Sequence, residues 1–249
     1  MKLCVLMAVY NEEKYIENAL NSILRQSSPI SVEVIVIDDG STDRTGEIIE
    51  RLQSNTDTIR MIRIKNSGVT AARNVSLEAL PHDCTHVTFL DGDDEYPDGK
   101  LSRDVQIMLD DPTVDLVFGR CRMVHTTSQR LAENFSDLDS VVRGVQLGAS
   151  IFSRHLIDQA GRFDDVFEQA EDMDFLFRII ENHPKMAFPD TVSIFYRRHE
   201  NNMTADLPTL RRNIMRALYH HTRRRKSDPS LAGVSNIFDL EQIKTGNFR

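Results

Sequence analysis

Hydrophobic residues follow two alternating rhythms along the first ninety positions. Leu3–Val9 is an unbroken apolar run and Val32–Ile37 a second one rich in β-branched residues, as expected of strands covered on both faces. Between them Ile16, Ala19, Leu20, Ile23 and Leu24 recur at helical spacing, which predicts a strand-helix-strand unit. Asp38-Asp39-Gly40-Ser41 breaks the second strand, Ser41 or Thr42 can cap a helix, and Ile48, Ile49 and Leu52 mark that helix. Residues 58–64 alternate polar and apolar like a third strand, followed by a helix over 69–79 and a strand over 86–90. Beyond Asp91 the pattern loosens. It gives a helix over 98–110, a strand over 114–118, a polar stretch from Thr126 to Asp139 read as a flexible lid-like loop, a strand over Gly148–Phe152, helices over 154–160 and 171–182, and a strand over 192–197. Strands alternating with helices predict an α/β fold with a mostly parallel sheet flanked by helices.

Composition adds limits. With 249 residues, 40% hydrophobic and 27% charged, the chain is of ordinary globular make-up and needs no metal or disulfide simply to fold. The three cysteines, Cys4, Cys84 and Cys121, are far apart and lack Cys-x-x-Cys spacing, so a reducing, cytoplasmic setting is expected. The apolar run at the amino end is too short for a signal peptide, and no stretch approaches the roughly 18 apolar residues that span a bilayer. The net charge of −8 is uneven: residues 1–210 carry 21 basic and 35 acidic side chains, whereas Arg211–Lys226 holds seven Arg or Lys and no acid. An acidic body repels a phosphate backbone, which argues against nucleic acid as a partner, and it favours a divalent cation.

Ligands in open α/β sheets bind beyond the carboxyl ends of the strands. Three polar clusters fall there: Tyr10-Asn11, Asp38-Asp39, and Asp91-Gly92-Asp93-Asp94. No G-x-G-x-x-G follows the first strand and there is no Walker lysine motif, so dinucleotide and P-loop enzymes are not supported. The Asp91–Asp94 run is not an EF-hand, because Tyr96 stands where that loop needs Gly and Ser102 where it needs Glu. Asp-x-Asp at a strand end suits a hard cation that bridges to a diphosphate, or else a turn with excess acid.

Taken in order, Ala8-Val9-Tyr10-Asn11-Glu12, Val36-Ile37-Asp38-Asp39-Gly40-Ser41-Thr42-Asp43, Asn66-Ser67-Gly68-Val69-Thr70-Ala71-Ala72-Arg73-Asn74 and Phe89-Leu90-Asp91-Gly92-Asp93-Asp94 resemble the motifs of family-2 glycosyltransferases, the inverting group with the GT-A fold. Gly148-Ala149-Ser150-Ile151-Phe152, Gly161-Arg162-Phe163-Asp164-Asp165 and Glu171-Asp172 resemble the acceptor-side half of that family. The likeness covers about residues 2–200. It implies a Rossmann-like GT-A domain over 1–205, with a nucleotide-binding half (1–95) and an acceptor half (96–205), and a C-terminal basic helix and tail over 206–249.

The resemblance also implies roles. Ala8, Tyr10, Asn11, Asp38, Arg73 and Asp91 would bind the nucleotide: Tyr10 by stacking on the base, Asp38 by accepting a ring N–H, Arg73 by pairing with base or diphosphate, and Asp91 near the ribose. A core-edge tyrosine, a capping turn and a surface helix charge are the plainer accounts of Tyr10, Asp38 and Arg73. Ala8 departs from the commonest pattern, where many relatives carry Pro, and this affects the first turn alone. Asp93 and His199 would hold Mn²⁺ or Mg²⁺, although a His after a strand can equally be structural. Asp94 and Glu171 would touch the donor sugar or support the ligands. Asp172 would be the general base, taking the proton from an acceptor hydroxyl as it attacks the anomeric carbon; the plainer account is that Glu171, Asp172 and Asp174 complement a helix dipole.

The activity implied is inverting transfer of a sugar from a nucleotide-sugar donor, a UDP-sugar by family frequency, to a hydroxyl on a glycan or lipid-linked acceptor, in surface polysaccharide or glycolipid synthesis. Two alternatives are a non-catalytic nucleotide- or glycan-binding relative and a sugar nucleotidyltransferase, which would want a Gly-rich loop where this chain has Tyr10-Asn11-Glu12-Glu13. Leu210, Ile214, Leu218 and Met215 form an apolar stripe among arginines in the basic segment. Over 210–226 it could lie on an anionic membrane at the inner face, or dock its stripe on the domain and its arginines on the acidic body, which is the expected arrangement.

Overall fold

The computed structural model describes residues 1–125, 131, 140–143, 146–199 and 206–234. Strand β1 (Lys2–Val9) lies between β2 (Ser31–Asp38) and β4 (His86–Phe89), parallel to both. Its apolar run is continuous because its two faces serve two cores. Leu3, Val5, Met7 and Val9 join one core and Cys4 and Leu6 the other, and in β2 Val34 and Val36 separate from Ile35 and Ile37 in the same way.

The first core is covered by α1 (Ile16–Leu24), α2 (Thr45–Gln53) and α4 (Lys100–Asp110), through residues such as Leu20, Ile49 and Leu101. The second is covered by α3 (Val69–Glu78), α5 (Arg154–Ala160) and α6 (Glu171–Glu181), through Ala72, Leu156, Phe175 and Ile179. The seven-stranded sheet runs β3-β2-β1-β4-β8-β5-β9, with β3 at Ile59–Arg63, β5 at Leu116–Phe118, β8 at Ser150–Ser153 and β9 at Met186–Ala187. Only β8 runs against its neighbours β4 and β5. The expected α/β architecture, a mostly parallel sheet between helical layers, is therefore present.

A second sheet of three strands was not expected. It comprises β10 (Val192–Arg198), β6 (Arg120–His125) and β7 (Ser140–Val142), in that order. In β6 the buried positions Cys121 and Met123 alternate with the partly exposed Arg120 and Arg122, a period-two signal diluted by the arginines. The strand expected from Gly148 begins two residues later, because Leu147–Ala149 form a 3₁₀ turn. A Cβ at Gly148 would lie 2.5 Å from Ile194 Cδ1 and 3.0 Å from the Phe89 carbonyl oxygen, so only glycine fits. The lid expected over Thr126–Asp139 lies outside the described residues apart from Leu131, which is buried and donates its N–H to Glu95 Oε1 at 2.8 Å.

Helix α7 (Leu207–Ser227) is capped by Asp206, whose side chain accepts the Thr209 N–H, with Pro208 in its first turn. It packs on α6, with only half of the expected stripe turned inward: Leu210 and Ile214 are partly buried. Its buried residues are Asn213, Ala217 and His221, while Met215 and Leu218 face solvent. The contact is polar: His221 Nδ1 lies 2.5 Å from Glu181 Oε1, and Arg224 reaches Asp174 at 2.9 Å and Glu181 at 2.8 Å. No helix among the described residues is long and apolar enough to cross a membrane.

Candidate active site

The site forms at the carboxyl ends of β1, β2 and β4, where three loops lock together. Asn11, with φ 56°, sits in the left-handed region that asparagine tolerates. Its N–H donates to Ser41 Oγ at 3.0 Å and its side-chain oxygen accepts the Thr42 N–H at 2.8 Å, tying the β1 loop to the β2 loop. Asp39 accepts the N–H groups of Ser67 and Gly68, each at 2.8 Å, and so sets the entry to α3. Gly92 lets the β4 loop approach the first: a Cβ there would lie 2.9 Å from Glu12 Cγ and 3.0 Å from Val9 Cγ1.

Tyr10 stands on the rim, 46% exposed, and Ala8 is partly buried against the second core. Asp38 is fully buried. Its Oδ1 accepts the Ser41 N–H at 2.8 Å, and its Oδ2 lies 3.4 Å from Arg63 Nε without a hydrogen bond.

Arg73 is no surface charge. Buried on α3, it donates to Asp91 Oδ1 at 2.9 Å and to Glu171 Oε1 at 2.5 Å, joining the strand end of β4 to the start of α6. Burial by itself disfavours the guanidinium charge, but Asp91 and Glu171 more than offset it and raise the pKa. Beneath the guanidinium, Phe163 stacks on Phe175 at 4.1 Å and meets Phe89 edge-on at 5.9 Å, an aromatic base that fixes the first turn of α6. Ala170, at φ 59°, turns the chain into that helix and presents Asp172. Burial first, then the neighbouring Glu171 charge, pushes the Asp172 carboxyl up to about 7, with Arg73 opposing. A small cleft, open to solvent, is lined by Arg73, Asp91, Gln146, Leu147, Gly148 and Asp172.

A second acidic group adjoins Asp91. His199 Nε2 lies 3.1 Å from Asp93 Oδ2. Asp94 is buried; its Oδ1 accepts the Arg197 N–H at 2.9 Å while Oδ2 has no hydrogen-bond partner. Burial, then Asp93 and Asp91, holds the Asp94 carboxyl well above the usual range, and burial with the same two neighbours pushes Glu12 up to about 8. Among the described residues no three His, Cys, Asp or Glu side chains converge as a metal cage.

The structure thus brings Arg73, Asp91, Glu171 and Asp172 together, and Asp93, Asp94 and His199 beside them, with Tyr10 on the rim and Asp38 closed to solvent. Sequence reasoning missed Glu12, Asp39 and Arg197. Arg197 is fully buried, donates from Nε to the Asp93 carbonyl at 2.8 Å, and lies over the Tyr15 ring at 4.1 Å. Its place depends on β10 pairing with β6 and on the Glu95–Phe195 bridge, which no local pattern announces.

A doubly wound sheet with acidic loops gathered at its carboxyl edge is the GT-A glycosyltransferase fold, and solved structures agree. The structure of Staphylococcus aureus TarS 1-349 in complex with UDP-GlcNAc matches with a TM-score of 0.65, covering 83% of this chain and 61% of that one at 24% identity. The Glycosyl transferase family 2 model matches residues 4–151, and the chain belongs to that family. Among curated relatives, the minor teichoic acid biosynthesis protein GgaA of Bacillus subtilis is 24% identical over 209 residues, covering 79% of this chain and 47% of that protein. The poly(ribitol-phosphate) beta-N-acetylglucosaminyltransferase TarS of S. aureus is 32% identical over 127 residues, covering 50% and 22%. The chain spans less than half the length of these curated relatives.

Proposed function

We propose that the protein is an inverting glycosyltransferase that moves a sugar from a UDP-sugar to a hydroxyl acceptor in the synthesis of a cell-surface polysaccharide or glycolipid. The observation that carries this reading is Asp172, a carboxylate poised near neutral pH in a cleft that the Arg73–Asp91 pair also lines. A base must be ionised and able to accept a proton at working pH, and a value of about 7 serves both demands. Asp172 takes the proton of the acceptor hydroxyl as its oxygen bonds to the anomeric carbon, while the bond to the nucleoside diphosphate breaks on the opposite face. Tyr10 offers its exposed ring to the base, Asn11 shapes the same loop, the buried Asp38 supports that loop through the Ser41 N–H, and Asp91 and Arg73 face ribose and diphosphate. Asp94 and Glu171 support these groups from behind.

A divalent cation, Mn²⁺ or Mg²⁺, fits the donor set. Asp94 has an orphaned buried oxygen, and Glu12 and Asp94 are kept from ionising partly by the neighbouring Asp91 and Asp93, a local excess of negative charge that a cation would relieve. Asp93 and His199 would hold it, with water and donor phosphate oxygens completing the shell. When bound, it would stabilise the negative charge of the departing diphosphate.

Calorimetric titration of UDP, with GDP in parallel, tests the donor side. Metal-dependent UDP binding that Asp93→Ala abolishes is the expected result; failure of both nucleotides to bind, with or without Mn²⁺, would overturn it. The names of the teichoic acid relatives support a wall-polymer setting for the acceptor.

A further inference from the structure

Helix α7 wears four of its large apolar residues on the outside. At 100° per residue, Asn213, Ala217, His221 and Arg224 fall on one face, which is the face turned to α6. The centre of the opposite face is occupied by Met215 and Tyr219, 65% and 59% exposed, with Leu218 and Leu207 beside them at 38% and 49%. A helix docked on a domain ordinarily buries its apolar stripe and exposes its charges. Here small and polar groups form the centre of the docked face, with Leu210 and Ile214 partly buried at its edge, while Met215, Tyr219, Leu218 and Leu207 meet solvent.

Single exposed apolar side chains are common on any surface. Four on one face of one helix, flanked on both sides by arginine, are a different matter. Arg211, Leu218 and Arg225 edge one side of the Met215–Tyr219 stripe and Arg212 and Arg223 the other, with Lys226 at its end, and all of them are exposed. None is consumed by a strong internal partner: Arg212 makes a solvent-exposed 3.6 Å pair with Glu168, Arg223 lies over the Tyr219 ring at 5.7 Å, and Arg225 donates to the Leu231 carbonyl at 3.2 Å. The buried contact with the acidic body is made by Arg224 instead, and the one body acid that a flanking arginine reaches among the described residues is the exposed Glu168.

We propose that α7 is a membrane-surface helix, lying in the headgroup region of an anionic lipid bilayer through its Met215–Tyr219 face. Each feature matches that environment. Met215, Leu218 and Leu207 would enter the acyl boundary, Tyr219 would sit at the interface with its hydroxyl toward water, and the arginines on both flanks would extend their stems along the lipid and their guanidinium groups to the phosphates. With 21 residues the helix offers roughly 30 Å of contact, parallel to the surface. A second copy of the chain is a poorer occupant, because a two-fold pairing of this face would set arginine flanks against arginine flanks.

Co-sedimentation of the full chain with phosphatidylcholine vesicles, with and without phosphatidylglycerol, tests the assignment. Binding is expected only where phosphatidylglycerol is present, and it should weaken at high salt. Arg211→Gln with Arg212→Gln and Lys226→Gln should lower the partition coefficient by roughly fivefold per basic residue removed. Met215→Ser with Tyr219→Ser should lower it at least as far while leaving the melting temperature unchanged, since neither side chain is part of the packed core. Binding by neither vesicle, equal binding by both, or equal binding by wild type and both variants would overturn the proposal. So would a concentration-dependent dimer, dispersed by the same substitutions, in a chain that ignores vesicles.

Discussion

The β2 and β4 strand ends both carry clustered carboxylates, yet the fold treats the two clusters in opposite ways. After β2, Asp39 takes the N–H groups of Ser67 and Gly68, and Asp38 takes the Ser41 N–H while its second oxygen faces the Arg63 guanidinium at 3.4 Å. After β4, Asp94 likewise takes one backbone N–H and keeps an unpartnered buried oxygen, but its neighbours are Asp91 and Asp93, and Glu12 beside them and Asp172 at the start of α6 are pushed up to about 8 and about 7. Backbone donors and a facing guanidinium make a carboxylate a fixed structural post, whereas burial beside other carboxylates makes ionisation costly, a cost that a proton or a cation relieves. The first cluster builds the loops; the second is where chemistry can happen.

Asp172→Asn offers the sharpest test of that division. Loss of a general base should cut transfer by about 10²- to 10⁴-fold while circular dichroism stays unchanged. In wild type the transfer rate should climb as pH rises through about 7, because the working form is the ionised one. Stability should move the other way. The folded chain holds the Asp172 proton up to about 7, whereas the unfolded chain releases it near about 4, so wild-type stability falls as pH rises across that window. Asp172→Asn lacks this loss, and its melting temperature should gain on wild type between about pH 5 and pH 8. An unchanged rate would remove Asp172 from the chemistry.

On the structural side, Asp39→Ala strips two N–H groups of their shared acceptor and should lower unfolding stability by about 2–4 kcal/mol in urea denaturation. A change below about 0.5 kcal/mol would put Asp39 outside the loop-building role and break the comparison. The smallest effect belongs to the exposed Arg51–Glu17 pair between α2 and α1, 2.8 Å apart. Arg51→Gln should cost no more than about 0.5 kcal/mol in the same assay, since solvent-exposed pairs contribute little. Together the last two measurements separate charge that is buried against backbone from charge that merely meets its opposite in water.

Much of this is legible in the chain. Continuous runs in β1 and β2 against 3.6-residue spacing in the helices specify an α/β sheet, because a strand covered on both faces has no polar side to show. Asn11, Arg73, Asp91, Asp93, Asp172 and His199 stand out through the order of motifs that resemble the family. Their partners do not. Arg73 reads as an ordinary helix charge until Glu171, 98 positions later, is set 2.5 Å away, and Arg197 looks like one arginine among several until β10 pairs with β6. The stripe of α7, expected to dock on the domain, divides for the same reason: periodicity finds an apolar stripe but not which way it turns, and with Arg224 and His221 held by α6, Leu210 and Ile214 are partly buried while Met215 and Leu218 face outward. Local pattern determined which elements form and which residue types gather at the strand ends, since those depend on backbone period and turn chemistry. Only the tertiary structure decided which carboxylates are satisfied and which crowd one another, because that depends on groups far apart in sequence and a few ångströms apart in space.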